Sequence, residues 1–132
     1  MESPDINIDF NTIDNLKHLL PSYDKKFDIF FILPVKSVPA VSVDWDGEFW
    51  IRVASNGEIV GIEVENFERV FLVKHTEVAA IWKEFKPICL KNERKMRTPE
   101  VCESFLRILL DFLSSLFKTH PQQLYLISAH SV

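Results

Sequence analysis

The chain is poor in glycine, cysteine and methionine, with 3, 2 and 2 of them among 132 residues. Phosphate-cradling loops set several glycines close together where backbone amides approach the ligand. Gly47, Gly57 and Gly61 cannot write G-x-x-x-x-G-K-[ST] or G-x-G-x-x-G, so both a Walker loop and a dinucleotide fingerprint are absent. Cys89 and Cys102 form neither a C-x-x-C pair nor the framework of a small secreted domain, and read as small core hydrophobes. Long hydrophobic runs are missing too. Phe27 to Leu33 is too short to span a bilayer, and the stretch after Val101 is broken by Glu103, Arg107 and Asp111. The acidic Met-Glu-Ser-Pro-Asp start lacks the basic and apolar regions of a signal peptide, so a cytoplasmic setting is expected.

A net charge of -4 disfavours a nucleic-acid partner, because such binding draws on clustered positive charge. Lys91, Arg94, Lys95 and Arg97 are the one basic cluster, read as a solvated loop ahead of a phosphate-contacting patch. Against these shortages stand 47% hydrophobic residues and 11 phenylalanines, ample for the core of one domain over residues 1–132.

The pattern predicts an α+β fold: a three- to five-stranded antiparallel meander sheet with helices on one face and a long C-terminal helix. Asn11 or Thr12 is expected to cap a short peripheral helix carrying Ile13, Leu16 and Leu20, ended by Pro21. Phe27 to Pro34 reads as a strand buried on most of both sides, and Pro34 and Pro39 bracket an irregular connection. From Val41 to Glu65, Asp46-Gly47 and Asn56-Gly57 mark two hairpin turns. A two-residue loop at Asn56-Gly57 pairs Val53 with Val60, Ile51 with Ile62 and Phe49 with Val64. A three-residue loop, Trp45-Asp46-Gly47, pairs Val43 with Phe49 and Val41 with Ile51. Trp50, Arg52, Ile59, Gly61 and Glu63 then share the other face, with the Trp50 indole over the bare backbone of Gly61.

Downstream, Thr76 is expected to cap a helix with Val78, Ile81, Trp82 and Phe85 on one stripe, stopping before Pro87. Thr98-Pro99-Glu100 opens a second helix to about Lys118, ended by His120-Pro121 and followed by a short strand from Leu124 to Ile127. Its apolar arc is about 200° wide, against the ~100° that one sheet contact needs. Val101, Phe105, Ile108, Phe112 and Leu116 line one flank, Leu106, Leu110, Leu113 and Phe117 the other. Either this helix is central in the monomer, or Phe105, Leu106, Ile108, Leu110, Phe112, Leu113, Leu116 and Phe117 include the interface of a homodimer.

Chemistry-bearing motifs are sparse. Asp44-Trp45-Asp46-Gly47-Glu48 has its glycine misplaced for a calcium loop and reads as a hairpin turn. His18, His75, His120 and His130 are scattered, and His75 with Glu77 is a candidate acid/base couple only if a pocket forms there. Ser104, Ser114 and Ser115 sit on a polar helix stripe without a nucleophile elbow. No catalytic residue, cofactor or metal ligand is assigned. Trp50, Arg52 and Glu63 form the candidate ligand surface.

The segment Asn56-Gly57-Glu58-Ile59-Val60-Gly61-Ile62-Glu63-Val64 resembles the signature of a family of short, mostly bacterial domains of unknown function. In that family a β-meander ends in D/N-G-x-I/V-V-G-I-E-I/V. The resemblance covers about residues 41–67 and implies a meander, with no catalytic residues to transfer. The expected function is a small non-catalytic interaction module that self-associates through the C-terminal helix. The alternative is a small-molecule-binding or enzymatic domain with a pocket near Trp50, Arg52 and Glu63 or near His75.

Overall fold

Alternating apolar residues and turn-forming Asp, Asn and Gly produce a single antiparallel sheet, seen in a computed structural model. It describes residues 7–34, 36, 38–45, 47–90, 99–119 and 124–131, with residues 88, 99–102 and 124–131 described by backbone alone. The basic run from Lys91 to Arg97, Asp46, the Thr98 cap and the His120-Pro121 stop lie outside the described residues, as do the side chains of Glu100, Val101, Cys102 and His130.

The strands are β1 (Pro21–Asp24), β2 (Ile29–Ile32), β3 (Pro39–Trp45), β4 (Phe49–Val53), β5 (Ile59–Glu65) and β6 (Leu124–Ser131). They lie in the order β1-β2-β5-β4-β3-β6, all neighbours antiparallel. The meander β3-β4-β5 is therefore central, and the sheet has six strands. Phe30, Ile32, Ile51, Ile62 and Val64 alternate onto one face and are fully buried. In β2 only that face is buried, and Phe27, just before it, is 60% exposed. The reading of a strand buried on both sides is thus corrected: its second face is half-buried, with no helix against it among the described residues.

Both hairpins differ in detail from expectation. In the first, Trp45 pairs with Phe49, Val43 with Ile51 and Val41 with Val53, two residues further along than the expected register. The shift is even, so the same face stays inward, and it brings Trp45 out of the turn into the core at 1% exposure. Gly47 takes φ 72° in a turn closed by the Glu48 N–H donating to the Trp45 carbonyl at 2.8 Å. In the second, Ile51 pairs with Ile62 and Arg52 with Gly61 as expected, but a bulge makes Val53 pair with Ile59, not Val60. Ile59 is consequently buried, and the loop is not a two-residue turn. The bulge is held by the Asn56 side chain, which accepts from Glu58 N–H, and by Gly57 at φ 91°. A Cβ on Gly57 would collide with the backbone carbonyl of Asn7.

That collision shows where the N-terminal segment lies. Asp9, not Asn11 or Thr12, caps a 3₁₀ helix over Phe10–His18. Asp9 bridges Glu58, and Thr12 Oγ1 accepts from Ile59 N–H at 2.8 Å. The helix is not peripheral: Ile13 and Leu16 are each 2% exposed. Pro21, expected only as a helix stop, begins β1.

After β5 the chain makes an unexpected π-helical turn (Phe67–Phe71) running into α1 (Leu72–Lys74). Next comes α2 (Thr76–Cys89), which follows His75 without a side-chain cap and carries Pro87 inside it. It continues past the expected stop at Pro87, and Leu90 N–H bonds the Lys86 carbonyl at its end. Cys89 is buried.

The helix α3 (Pro99–Thr119) is clasped on three sides, which accounts for its wide apolar arc. Phe105 meets Phe30 of the sheet at 5.9 Å and Phe85 of α2 at 5.3 Å. Phe117 meets Trp45 at 4.9 Å and Phe10 of the 3₁₀ helix at 4.6 Å. Phe112 meets His75 at 4.7 Å. Phe105, Leu106, Leu110, Leu113 and Phe117 are buried within the chain, while Phe112 and Leu116 are half-buried and Ile108 points outward at 44% exposure. Five of the eight candidate interface residues are thus buried against the chain's own elements.

Candidate functional site

Three polar arrangements arise from this scaffold. The first is a closed centre around Asp28, a residue that local sequence patterns do not single out. Asp24 Oδ1 accepts from the N–H groups of Lys26 and Phe27, turning the chain from β1 to β2. Asp28 then adopts φ 56°, a left-handed conformation that Asp tolerates better than most residues. Its carboxylate caps the helical turn after β5, accepting from Glu68 N–H at 2.8 Å, Arg69 N–H at 3.1 Å and the Tyr23 hydroxyl at 2.7 Å. Glu68 in turn accepts from Trp82 Nε1 at 2.7 Å and pairs with Lys86 at 2.9 Å.

The charges are set accordingly. Burial pushes the Asp28 carboxyl upward, but the donors from Glu68, Tyr23 and Arg69 outweigh it and hold the group below the usual carboxylate range. Glu68 is likewise held low, against its burial, by Lys86 and Trp82. Burial and the Asp28 carboxylate push the Tyr23 hydroxyl far up. Every named polar atom in this centre has a partner, which makes it an anchor between β1, the turn after β5 and α2.

The second arrangement is a cleft of about 130 Å³ where the β3-β4 turn faces the exit of β5. Asp44, Glu48, Trp50, Glu65, Asn66 and Lys74 line it. Trp50 Nε1 donates to Glu65 Oε1 at 3.1 Å, so the indole leans toward the cleft and not over Gly61. Leu33 instead fills the space at Gly61, its Cδ2 lying 2.9 Å from where a Cβ would stand. At the cleft wall, His75 Nε2 lies 3.0 Å from Glu48 Oε1, and Lys74 Nζ 3.9 Å from Glu48 Oε2. His75 is thus partnered by Glu48 of the β3-β4 turn and not by Glu77, and its ring is wedged between Phe71 at 4.6 Å and Phe112 at 4.7 Å.

The third is the face of the sheet opposite the helices. Ser22, Phe31, Glu63, Trp50 and Asp44 are successive cross-strand partners, a continuous row over five strands. Beside it, Gly61, Arg52 and Ser42 form a second row. Trp50, Arg52 and Glu63 therefore do come together, all half-buried, with the cleft at the rim of their face. Arg52 Nη1 is buried and lacks a hydrogen-bond partner among the described residues. Among those residues no group of three His, Cys, Asp or Glu side chains is placed to hold a metal ion, and no helix is long and apolar enough to cross a membrane. Comparison with protein-family models, with curated proteins and with solved structures finds no match to the chain.

Proposed function

We propose that the protein is a small non-catalytic interaction module that holds its partner on the sheet face opposite the helices, with Trp50 as anchor. The observation carrying this reading is the asymmetry of the sheet. Among the described residues the helices pack on one face, while the other carries Trp50 with Arg52 beside it. Aromatic and arginine side chains combine apolar area with directional polar groups and recur at the energetic centres of interfaces. A catalytic role for His75 has less support, because its ring is wedged between two phenylalanines and its Nε2 faces Glu48.

A thermal-shift panel of metabolites combined with a peptide array tests this reading. A partner on the sheet face raises the melting temperature of the wild type, and Trp50→Ala or Arg52→Ala abolishes that rise without altering the unliganded protein's circular dichroism. Binding that survives both substitutions, or no binding across the panel, would sink it. The cleft offers a second reading, a small polar ligand held between Trp50 and Lys74. It is favoured if Lys74→Ala abolishes binding and Arg52→Ala does not.

A further inference from the structure

The two edges of the sheet are treated very differently. An edge strand exposes a row of unpaired N–H and C=O groups, and proteins blunt it with short strands, proline, charge or a covering segment. At one edge β1 has several of these: it is four residues long, begins with Pro21, contains Asp24, and is bridged by Leu90 at Tyr23. At the other edge β6 is eight residues long and, among the described residues, pairs with β3 on its inner side only. The ladder breaks once, where Ser42 pairs with Ser128 and Val43 with Leu126, so residues 128–131 run opposite 39–42 without interruption. From Thr119 to Val132 the chain carries no Asp, Glu, Lys or Arg, in a protein where 26% of residues are charged.

We propose that β6 pairs with β6 of a second copy, antiparallel about a two-fold axis, joining two sheets into one. The outward N–H and C=O groups, about half of those on the strand, are the complement of another strand's. The charge pattern selects the occupant: an uncharged edge offers nothing to an acidic or basic peptide, and meets itself without like-charge repulsion. The blunted β1 edge excludes head-to-tail growth, so the assembly closes at two. This dimer does not use the Trp50 face, and it replaces the α3 flank as the surface of self-association.

The test is sedimentation of the full chain from micromolar to millimolar concentration, with adjacent proline substitutions. Successive residues of a strand direct their N–H groups to opposite edges, so one of Ala129→Pro and His130→Pro removes a bond to β3 and the other an outward donor. The expected wild type passes from 15.4 kDa to twice that mass. The outward variant stays folded while its dimer Kd rises at least about tenfold. Should both variants unfold, hydrogen exchange of the wild type decides: β6 amides whose protection grows with concentration support the pairing, and concentration-independent exchange overturns it. A mass of one chain throughout, masses growing beyond two, or a dimer that Trp50→Ala dissolves would each overturn it. Failure of the dimer leaves the sheet-face reading standing, and loss of ligand binding in Trp50→Ala leaves the dimer standing.

Discussion

The centre around Asp28 and the cleft beside Trp50 are made of nearly the same chemistry: carboxylates, a tryptophan N–H and a lysine. In the first, Tyr23, Trp82, Lys86 and two backbone amides converge on two carboxylates, and Asp28 is 4% exposed. In the second, Asp44, Glu48 and Glu65 stand around open space, and the Trp50 bond to Glu65 is exposed to solvent. Low dielectric strengthens a fully paired network and penalises an incomplete one, so the closed centre serves stability. The open cleft keeps polar groups available at little cost because water solvates them. Similar residue types therefore do different work, and closure around them decides which.

The largest effect expected from this contrast is on Asp28. Asp28→Ala leaves two helix-end amides and the Tyr23 hydroxyl without their acceptor, and should lower the unfolding free energy by about 3 kcal/mol in urea denaturation. A loss under about 1 kcal/mol would break the comparison. Asp28→Asn, which tolerates the left-handed backbone and keeps an acceptor, should lose less.

A pH profile sharpens it next. The carboxyls of Asp28 and Glu68 are held low in the folded state, so near the ordinary carboxylate pKa of about 4 the unfolded chain binds more protons. Their stabilisation is present above that pH and is lost as pH falls through the folded values. Tyr23, held high, contributes stability that is full below about pH 10 and declines above it, where only the unfolded chain ionises. Denaturant midpoints recorded across pH should decline at both ends, and Tyr23→Phe should weaken the alkaline arm.

His75→Ala is a smaller change. It removes one ring from the stack between Phe71 and Phe112 and the bond to Glu48, for about 1 kcal/mol in the same denaturation assay. The smallest belongs to Trp50→Ala, about 0.5 kcal/mol, since its indole nitrogen already bonds an exposed carboxylate. If Trp50→Ala destabilised the protein as much as Asp28→Ala, the cleft would be a structural element like the closed centre.

Much of this architecture was legible locally. Alternation between Val41 and Val64 carried the meander, and Pro99 with the long apolar periodicity carried α3. The pairing of Ile51 with Ile62 followed from period-two alternation alone. The bulge after Arg52 was not legible, because it depends on the N-terminal segment lying against Gly57 and on Thr12 Oγ1 accepting from Ile59 N–H. The turn from Phe67 to Lys74 has no cap of its own; its cap is Asp28, 40 residues earlier. Of the candidate site, Trp50, Arg52 and Glu63 were grouped correctly by strand register, whereas the partner of His75 was missed because Glu48 lies 27 residues away on another element.

The sequence by itself determined the α+β class, the meander, the face that β3 and β4 turn inward and the extent of α3. These depend on periodicity and turn chemistry between near neighbours, where spacing along the chain fixes spacing in space. Tertiary structure alone decided which neighbours seal the wide apolar arc of α3, which distant carboxylate caps the turn after β5, and which polar cluster closes and which stays open. Those outcomes depend on strand order and on contacts across tens of residues, and many pairings of the same local elements satisfy the same local rules.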